Sequence, residues 1–286
     1  MKKIKLITDT ASDLTLEIAK EYDIHLIPIN LNIDGKQLKD KYDISNDEFY
    51  NYLETHDEVP KTAQISVGEH IDEFKKFVDE YSIIYVPISS KASGTNQSAQ
   101  LAKNEILEEN PDADITIVDS MSFSYCYGYW ITEAAKMAKK GASKEEIVEM
   151  LEDRFSRTRA VFAVDTLDYL QKGGRISSTA KIVANVLDIT PILSIEDGLV
   201  VSHEKVRGKK KVVAKMLEIL NEEAEQNPEN PIIIMHGNNI EKADMMKEKL
   251  LEKTSFTNTV YGVVGPCIGI HTGPGAHAYV YLTKKE

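Results

Sequence analysis

Short apolar runs alternate along the first half of the chain with segments whose apolar positions recur every three or four residues. Lys3–Thr8 (KIKLIT), His25–Asn32 (HLIPINLN), Ile83–Ile88 (IIYVPI) and Ile115–Val118 (ITIV) each end in a polar turn and predict buried strands. Gly68–Asp79, Ser98–Leu107, Tyr125–Lys140 and Lys144–Phe155 carry helical spacing. Strands separated by amphipathic helices predict a parallel sheet covered on both faces. A second unit is expected to begin near Arg159. There RAVFAVDTL reads as a strand, and ITPILSIEDGLVVSHEKV as two strands joined at Glu196-Asp197-Gly198. Helices expected near 178–187, 208–225 and 240–252 alternate with the strands PIIIMHG and TVYGVVG, and HAYVYLT closes the sheet. The expected domains are therefore 1–158 and 159–286.

Composition narrows the functional classes. With 286 residues, 42 % of them hydrophobic, the chain can bury one large core or two. A formal net charge of −12 argues against a nucleic-acid partner, which is bound through clustered Lys and Arg. The one basic run, KVRGKKK (Lys205–Lys211), also suits the solvated start of a helix. Cys126 and Cys267 form no CxxC motif, cannot make a metal site unaided, and fit a reducing compartment, so a cytoplasmic location is expected. The apolar stretch of MKKIKLITDT is too short for a signal-peptide core or a membrane span.

In open α/β sheets, ligands collect outside the carboxyl ends of the strands. The turns there are rich in Ser and Thr: TDTASDLT (Thr8–Thr15), KTAQISVGE (Lys61–Glu69), SSKASGTNQSA (Ser89–Ala99) and VDSMSFS (Val118–Ser124). A single Ser or Thr before a helix serves as a plain cap. Ser93, Thr95 and Ser98, however, surround Gly94, whose missing side chain lets another group approach the backbone. Such a helix start favours an anion, by about 0.3 to 2 kcal/mol. Neither GxGxxG nor GxxxxGK[ST] occurs, and GIHTGPGAH carries a proline between its glycines with no helix after it. An aspartyl-phosphate enzyme would need an acid two residues after Asp9, where Ala11 stands. A stand-alone acyl hydrolase or phosphotransferase using Ser93 and His271 is the alternative reading, although Lys91 and Thr95 stand where a GxSxG elbow needs glycines. Asp9, Thr10 and Ser12 either line the same cleft or cap the first helix, and Met and aromatic residues near 121 to 130 are candidates to line an apolar tunnel.

Together, ITDTASDL (Ile7–Leu14), SGTNQSA (Ser93–Ala99), DTLDYLQKGGRIS (Asp165–Ser177), TPILSIEDG (Thr190–Gly198), KVRGKKK and HTGPGA (His271–Ala276) resemble the DegV family of bacterial fatty-acid-binding proteins nearly end to end. The resemblance implies a three-layer α/β/α N-terminal domain with a parallel sheet. It also implies a two-layer α/β C-terminal domain with a mixed sheet, and a lipid site at the domain junction. It implies a carrier and no enzyme: a long-chain fatty acid is bound with its tail buried, and its carboxylate is presented to a separate fatty-acid kinase that forms the acyl phosphate. By the family's pattern Thr62, Ser93 and the Gly94 backbone N–H would hold the carboxylate, with His271 close by, while Arg207 would serve the kinase partner. No catalytic residue, metal or cofactor is implied. The partners are the lipid and the kinase subunit, with transient membrane contact and no nucleic acid. The chain departs from the family's frequent Thr-Ser-Gln-Pro at Ala63 and Ile65, and has Asn96 where an aromatic residue is frequent. QKGGRIS (Gln171–Ser177) is expected to turn the chain between domains, with Arg175 an anchor or a partner contact.

Overall fold

The computed structural model describes residues 2–56, 58–175 and 189–285. The helix expected near 178–187 lies outside them. The chain divides into two compact units, Met1–Ser45 with Pro60–Ser156, and Asn46–Val59 with Arg157–Glu286.

The first unit is built on the apolar runs. β1 (Lys3–Asp9), β2 (His25–Ile27), β6 (Tyr81–Val86) and β7 (Ile115–Ile117) form a parallel sheet in the order β2-β1-β6-β7. Ile7, Ile83, Ile84 and Tyr85 are fully buried in it, as strands covered on both faces require. On one side α1 (Leu16–Tyr22) packs with α5 (Tyr125–Lys139), which lies on β1. On the other, α3 (Val67–Lys75) packs with α4 (Thr95–Glu109), which lies on β7; α6 (Lys144–Arg157) follows α5. The arrangement is three-layer α/β/α.

His25–Asn32 is not one strand. Pro28 has no N–H to give a ladder, so pairing with β1 stops at Ile27. The chain then enters a small antiparallel sheet of β3 (Asn30–Ile33), β4 (Lys36–Lys39) and β5 (Lys61–Ala63), in the order β4-β3-β5. The Asp34-Gly35 turn between β3 and β4 has φ of +51° and +73°, the left-handed pair that a two-residue hairpin needs.

The second unit carries a mixed sheet in the order β10-β9-β8-β13-β11-β12. Its strands are β8 (Thr158–Ala163), β9 (Ile189–Glu196), β10 (Leu199–Arg207), β11 (Ile232–His236), β12 (Thr259–Val263) and β13 (His277–Leu282). Only the β11–β12 pair is parallel among the described residues. α8 (Val212–Glu223) and α9 (Ile240–Lys253) form the second layer. Met216, Leu220, Met246 and Leu250 close over Val161, Ile192, Ile234 and Tyr279. Asp197 and Gly198 make the expected hairpin turn, with φ of +47° and +75°. α7 (Asp168–Gly173) and α10 (Pro266–Thr272) pack together. The segment from Gln171 to Arg175 lies within this unit and not at its border. α2 (Asn46–Thr55) also joins this unit: Phe49 and Tyr50 are buried, and the Tyr50 hydroxyl donates to the Val264 carbonyl at 2.8 Å.

Candidate functional site

In the first unit, the loop after β6 delivers Ser93 and Gly94 to the start of α4. Gly94 takes the N-cap position, makes no side-chain cap, and no acidic residue sits in the first turn. Ser93 supplies the missing acceptor: its Oγ receives the Thr95 N–H at 3.3 Å and stands 2.9 Å from the Thr95 hydroxyl. The β5 segment is tied to this helix start at two points. The Ile65 N–H donates to Thr95 Oγ1 at 3.4 Å, and the Gln64 side-chain amide donates to Ser98 Oγ at 3.0 Å. Thr62, half-buried on β5, is paired with Leu31 of β3 in this same strap. The structure therefore connects the segments of Thr62, Ser93 and Gly94 through Gln64, Ile65, Thr95 and Ser98.

Gly94 is small for a reason the sequence does not show. A Cβ there would stand 2.0 Å from Gln64 Oε1, so the space is filled by the Gln64 amide. Ile65 likewise makes sense of a departure from the family's pattern. Proline would lack the N–H that here reaches Thr95.

Beneath this loop lies a buried polar network at the ends of β1 and β6. Asp9 Oδ1 accepts from the Ala11 N–H at 3.1 Å and the Tyr127 hydroxyl at 2.6 Å, and Oδ2 accepts from the Ile88 N–H at 2.8 Å. Burial pushes its carboxyl up to about 6, against the opposing pull of these three bonds. Thr10 Oγ1 accepts from the Ile29 N–H, and the Ser12 hydroxyl donates to the Asp9 carbonyl. Asp9 caps the short 3-10 turn Thr10–Ser12, whereas α1 is capped by Thr15. Asp9, Thr10 and Ser12 are thus fully buried scaffold. Asp13 faces Lys41 at 3.6 Å and accepts from the Ser124 hydroxyl. Asp40 is completely buried, and burial, opposed first by the charge of Lys41, pushes its carboxyl up to about 7.

In the second unit, His271 sits in the last turn of α10. Its Nδ1 is buried and has no hydrogen-bond partner among the described residues. Burial, then the charge of Arg175, pushes the imidazole down to about 4, so it is neutral near pH 7. Gly173 lies against the ring: a Cβ there would stand 2.2 Å from Nδ1. The following Gly273 has φ of +73° and packs on Tyr169, which accounts for the glycine after His271-Thr272. Arg207 is exposed at the end of β10, and Lys209–Lys211 form a 3-10 turn before α8. His271 and Arg207 thus belong to one unit and the Ser93 strap to the other.

Among the described residues no three His, Cys, Asp or Glu side chains gather where a metal ion would be held, and no helix is long and apolar enough to cross a membrane. An open cleft of about 860 Å³ lies in the first unit at the opposite, amino end of the strands. Lysines such as Lys2 and Lys144 are balanced there by Asp23, Asp114 and their neighbours, and Thr62, Ser93, Gly94, Arg207 and His271 do not line it.

Sequence reasoning placed Ser93, Thr95 and Ser98 at this helix start but missed Gln64 and Ile65, which bind it. The signal was present in the SGTNQS spacing, because Thr95 and Ser98 fall on the first turn with Ser93, but their partners lie thirty residues away. Comparison with known proteins extends the picture to the whole chain. The family model described as "Uncharacterised protein, DegV family" matches residues 3–284. A DegV domain-containing protein of Caldanaerobacter subterraneus is 35 % identical over 286 residues, covering 100 % of both chains. Two crystal structures are similar throughout. A DegV lipid-binding protein from Thermotoga maritima has 29 % identity and a TM-score of 0.85, with 99 % of this chain and 100 % of that one covered. The fatty-acid-binding protein DegV from Bacillus subtilis has 28 % identity and a TM-score of 0.87 at the same coverage. With the family model spanning nearly every residue and the relatives aligned end to end, the chain belongs to the DegV family.

Proposed function

We propose that the protein binds a long-chain fatty acid and presents its carboxylate to a separate fatty-acid kinase. The observation that carries the lipid reading is the end-to-end likeness to solved DegV proteins, one a fatty-acid-binding protein and one a lipid-binding protein. The helix start of α4 supplies the chemistry for the head group: a hydroxyl at Ser93, a backbone N–H at Gly94, a second hydroxyl on the strapped strand at Thr62, and no competing acid in the first turn. His271 is the fourth head-group residue in this reading, and Arg207 serves the kinase. The protein works as a carrier in the cytoplasm, touching a membrane only to collect lipid, with no chemistry of its own.

Energetics assign separate roles to tail and head. About fifteen buried methylenes contribute on the order of 12 kcal/mol at ~0.8 each, before ordering costs. Contacts at a helix start are several times smaller. The tail therefore sets affinity, and the head-group residues set orientation.

A hydrolase built on Ser93 and His271 fares worse. The bonds of Ser93 among the described residues run to Thr95, which is no base, and His70 of the same unit is engaged by the Ser66 carbonyl and the Tyr85 hydroxyl. Organic extraction of the purified protein followed by mass spectrometry tests the proposal. A stoichiometric long-chain fatty acid is expected, whereas protein that carries none and takes up none from added oleate would overturn it.

A further inference from the structure

The hydroxyls at the start of α4 can be ordered by counting donors and acceptors. Thr95 is fully buried. Its Oγ1 meets two groups: the Ile65 N–H, which can only donate, and Ser93 Oγ at 2.9 Å. Among the described residues the Thr95 hydroxyl proton therefore has one acceptor, the Ser93 oxygen. That oxygen already receives the Thr95 N–H at 3.3 Å. A serine hydroxyl has two acceptor positions and one proton. With both acceptor positions filled by Thr95, Ser93 can meet a ligand only by donating.

We propose that Thr95 is a positioning residue that makes Ser93 an obligate donor, so that the site takes an acceptor-only head group such as an ionised carboxylate and disfavours a neutral head that must itself donate. The inference rests on the fatty-acid reading and specifies the head-group chemistry of the same site. A carboxylate accepts at both oxygens, and a hydrogen bond to it is charge-assisted. A primary amide of the same length presents an NH₂ where the site offers Ser93 O–H and Gly94 N–H, leaving donors facing donors. Burial sets the sense of the bond: were Ser93 to donate to Thr95 instead, the buried Thr95 proton would have no acceptor among the described residues.

The test compares the dissociation constants of oleate and oleamide at pH 8 for the wild type, Thr95→Val, Thr95→Ser, Ser93→Ala and the Ser93→Ala/Thr95→Val pair. The wild type is expected to prefer oleate by about tenfold or more, one charge-assisted bond's worth. Thr95→Val should reduce that preference to about threefold or less, because Ser93 regains an acceptor position. Thr95→Ser should restore it. In the Ser93→Ala background the Thr95 change should no longer alter the preference. If Thr95→Val fails to fold, Thr95→Ala removes the same hydroxyl with a smaller side chain. A Thr95→Val protein that keeps the wild-type preference, or that loses both ligands equally, overturns the proposal. A wild type that binds neither ligand would instead overturn the fatty-acid reading, and the proposal with it.

Discussion

The side-chain amide of Gln64 occupies the space a side chain at position 94 would need, with Oε1 only 2.0 Å from where a Cβ on Gly94 would lie. The same amide donates to Ser98 one turn into α4, so a single side chain closes over the helix start and binds its first turn.

Gly94→Ala is therefore expected to expel the Gln64 amide and break its bond to Ser98. The backbone at position 94 is ordinary right-handed helix, φ −71° and ψ 0°, so alanine costs nothing there by conformation. The loss should be about 1 kcal/mol, that of one hydrogen bond. In the Gln64→Ala background the same substitution should be neutral. Urea denaturation of the four proteins measures this, and equal costs in both backgrounds would show that the two residues do not compete for space.

A parallel contact in the second unit concerns Gly173 and His271. Alanine at 173 would place a methyl 2.2 Å from a buried ring nitrogen, and the imidazole must move. Overpacking of this kind costs about 1–3 kcal/mol. Removing the ring in His271→Ala should abolish most of that cost. If His271 is a head-group residue, Gly173→Ala should also weaken oleate binding in the wild-type background. Affinity left untouched by a displaced ring would remove His271 from the head-group site.

The parts of the fold that were legible in the sequence are those whose signal is local. β1, β6 and β7 coincide with apolar runs within two residues, and α5 and α6 with helical spacing. The Asp197-Gly198 hairpin announced itself by its turn residues. What was hidden depends on distant partners. Pro28 ends one strand, and Asn30–Ile33 then pair with β4 and β5, segments too short and too polar to read as strands. α2 lies among residues of the first unit in sequence, yet Phe49 and Tyr50 are buried in the second. At the candidate site, Ser93 and Gly94 stood out as a hydroxyl-rich helix start. The bond that ties this helix start to the β5 segment comes from Ile65, which no pattern within SGTNQSA contains.

Arg207 offers a clean separation of lipid binding from transfer. It is exposed at the end of the β10 edge strand, and the three lysines of the next turn follow it. If it serves the kinase, Arg207→Ala should retain its bound lipid in full, while acyl-phosphate formation with the kinase falls by about tenfold or more, as loss of a guanidinium–phosphate or guanidinium–carboxylate contact would give. Mass spectrometry of extracted lipid and a phosphoryl-transfer assay read the two quantities separately. Loss of the lipid would place Arg207 in the pocket.

Asp40 makes the stability of the first unit depend on pH in a direction opposite to that of most paired carboxylates. The folded chain holds its proton until about pH 7, whereas an unfolded aspartate releases it near 3.8. The folded state thus binds more protons across that window, and the contribution of Asp40 is present below about pH 4 and is lost as pH rises to 7. Asp9 acts in the same sense up to about 6. His70 and His271, pushed down to about 4 by burial, act oppositely: their contribution is present above 6.5 and is lost as pH falls to 4. The wild-type curve mixes these trends, but the difference between Asp40→Asn and wild type isolates one group, because asparagine keeps the shape and cannot ionise. That difference should move in favour of the variant by on the order of 2–4 kcal/mol between pH 4 and pH 8. Urea midpoints at half-unit pH steps give the curve, and two profiles running parallel throughout would show that Asp40 does not take up a proton on folding.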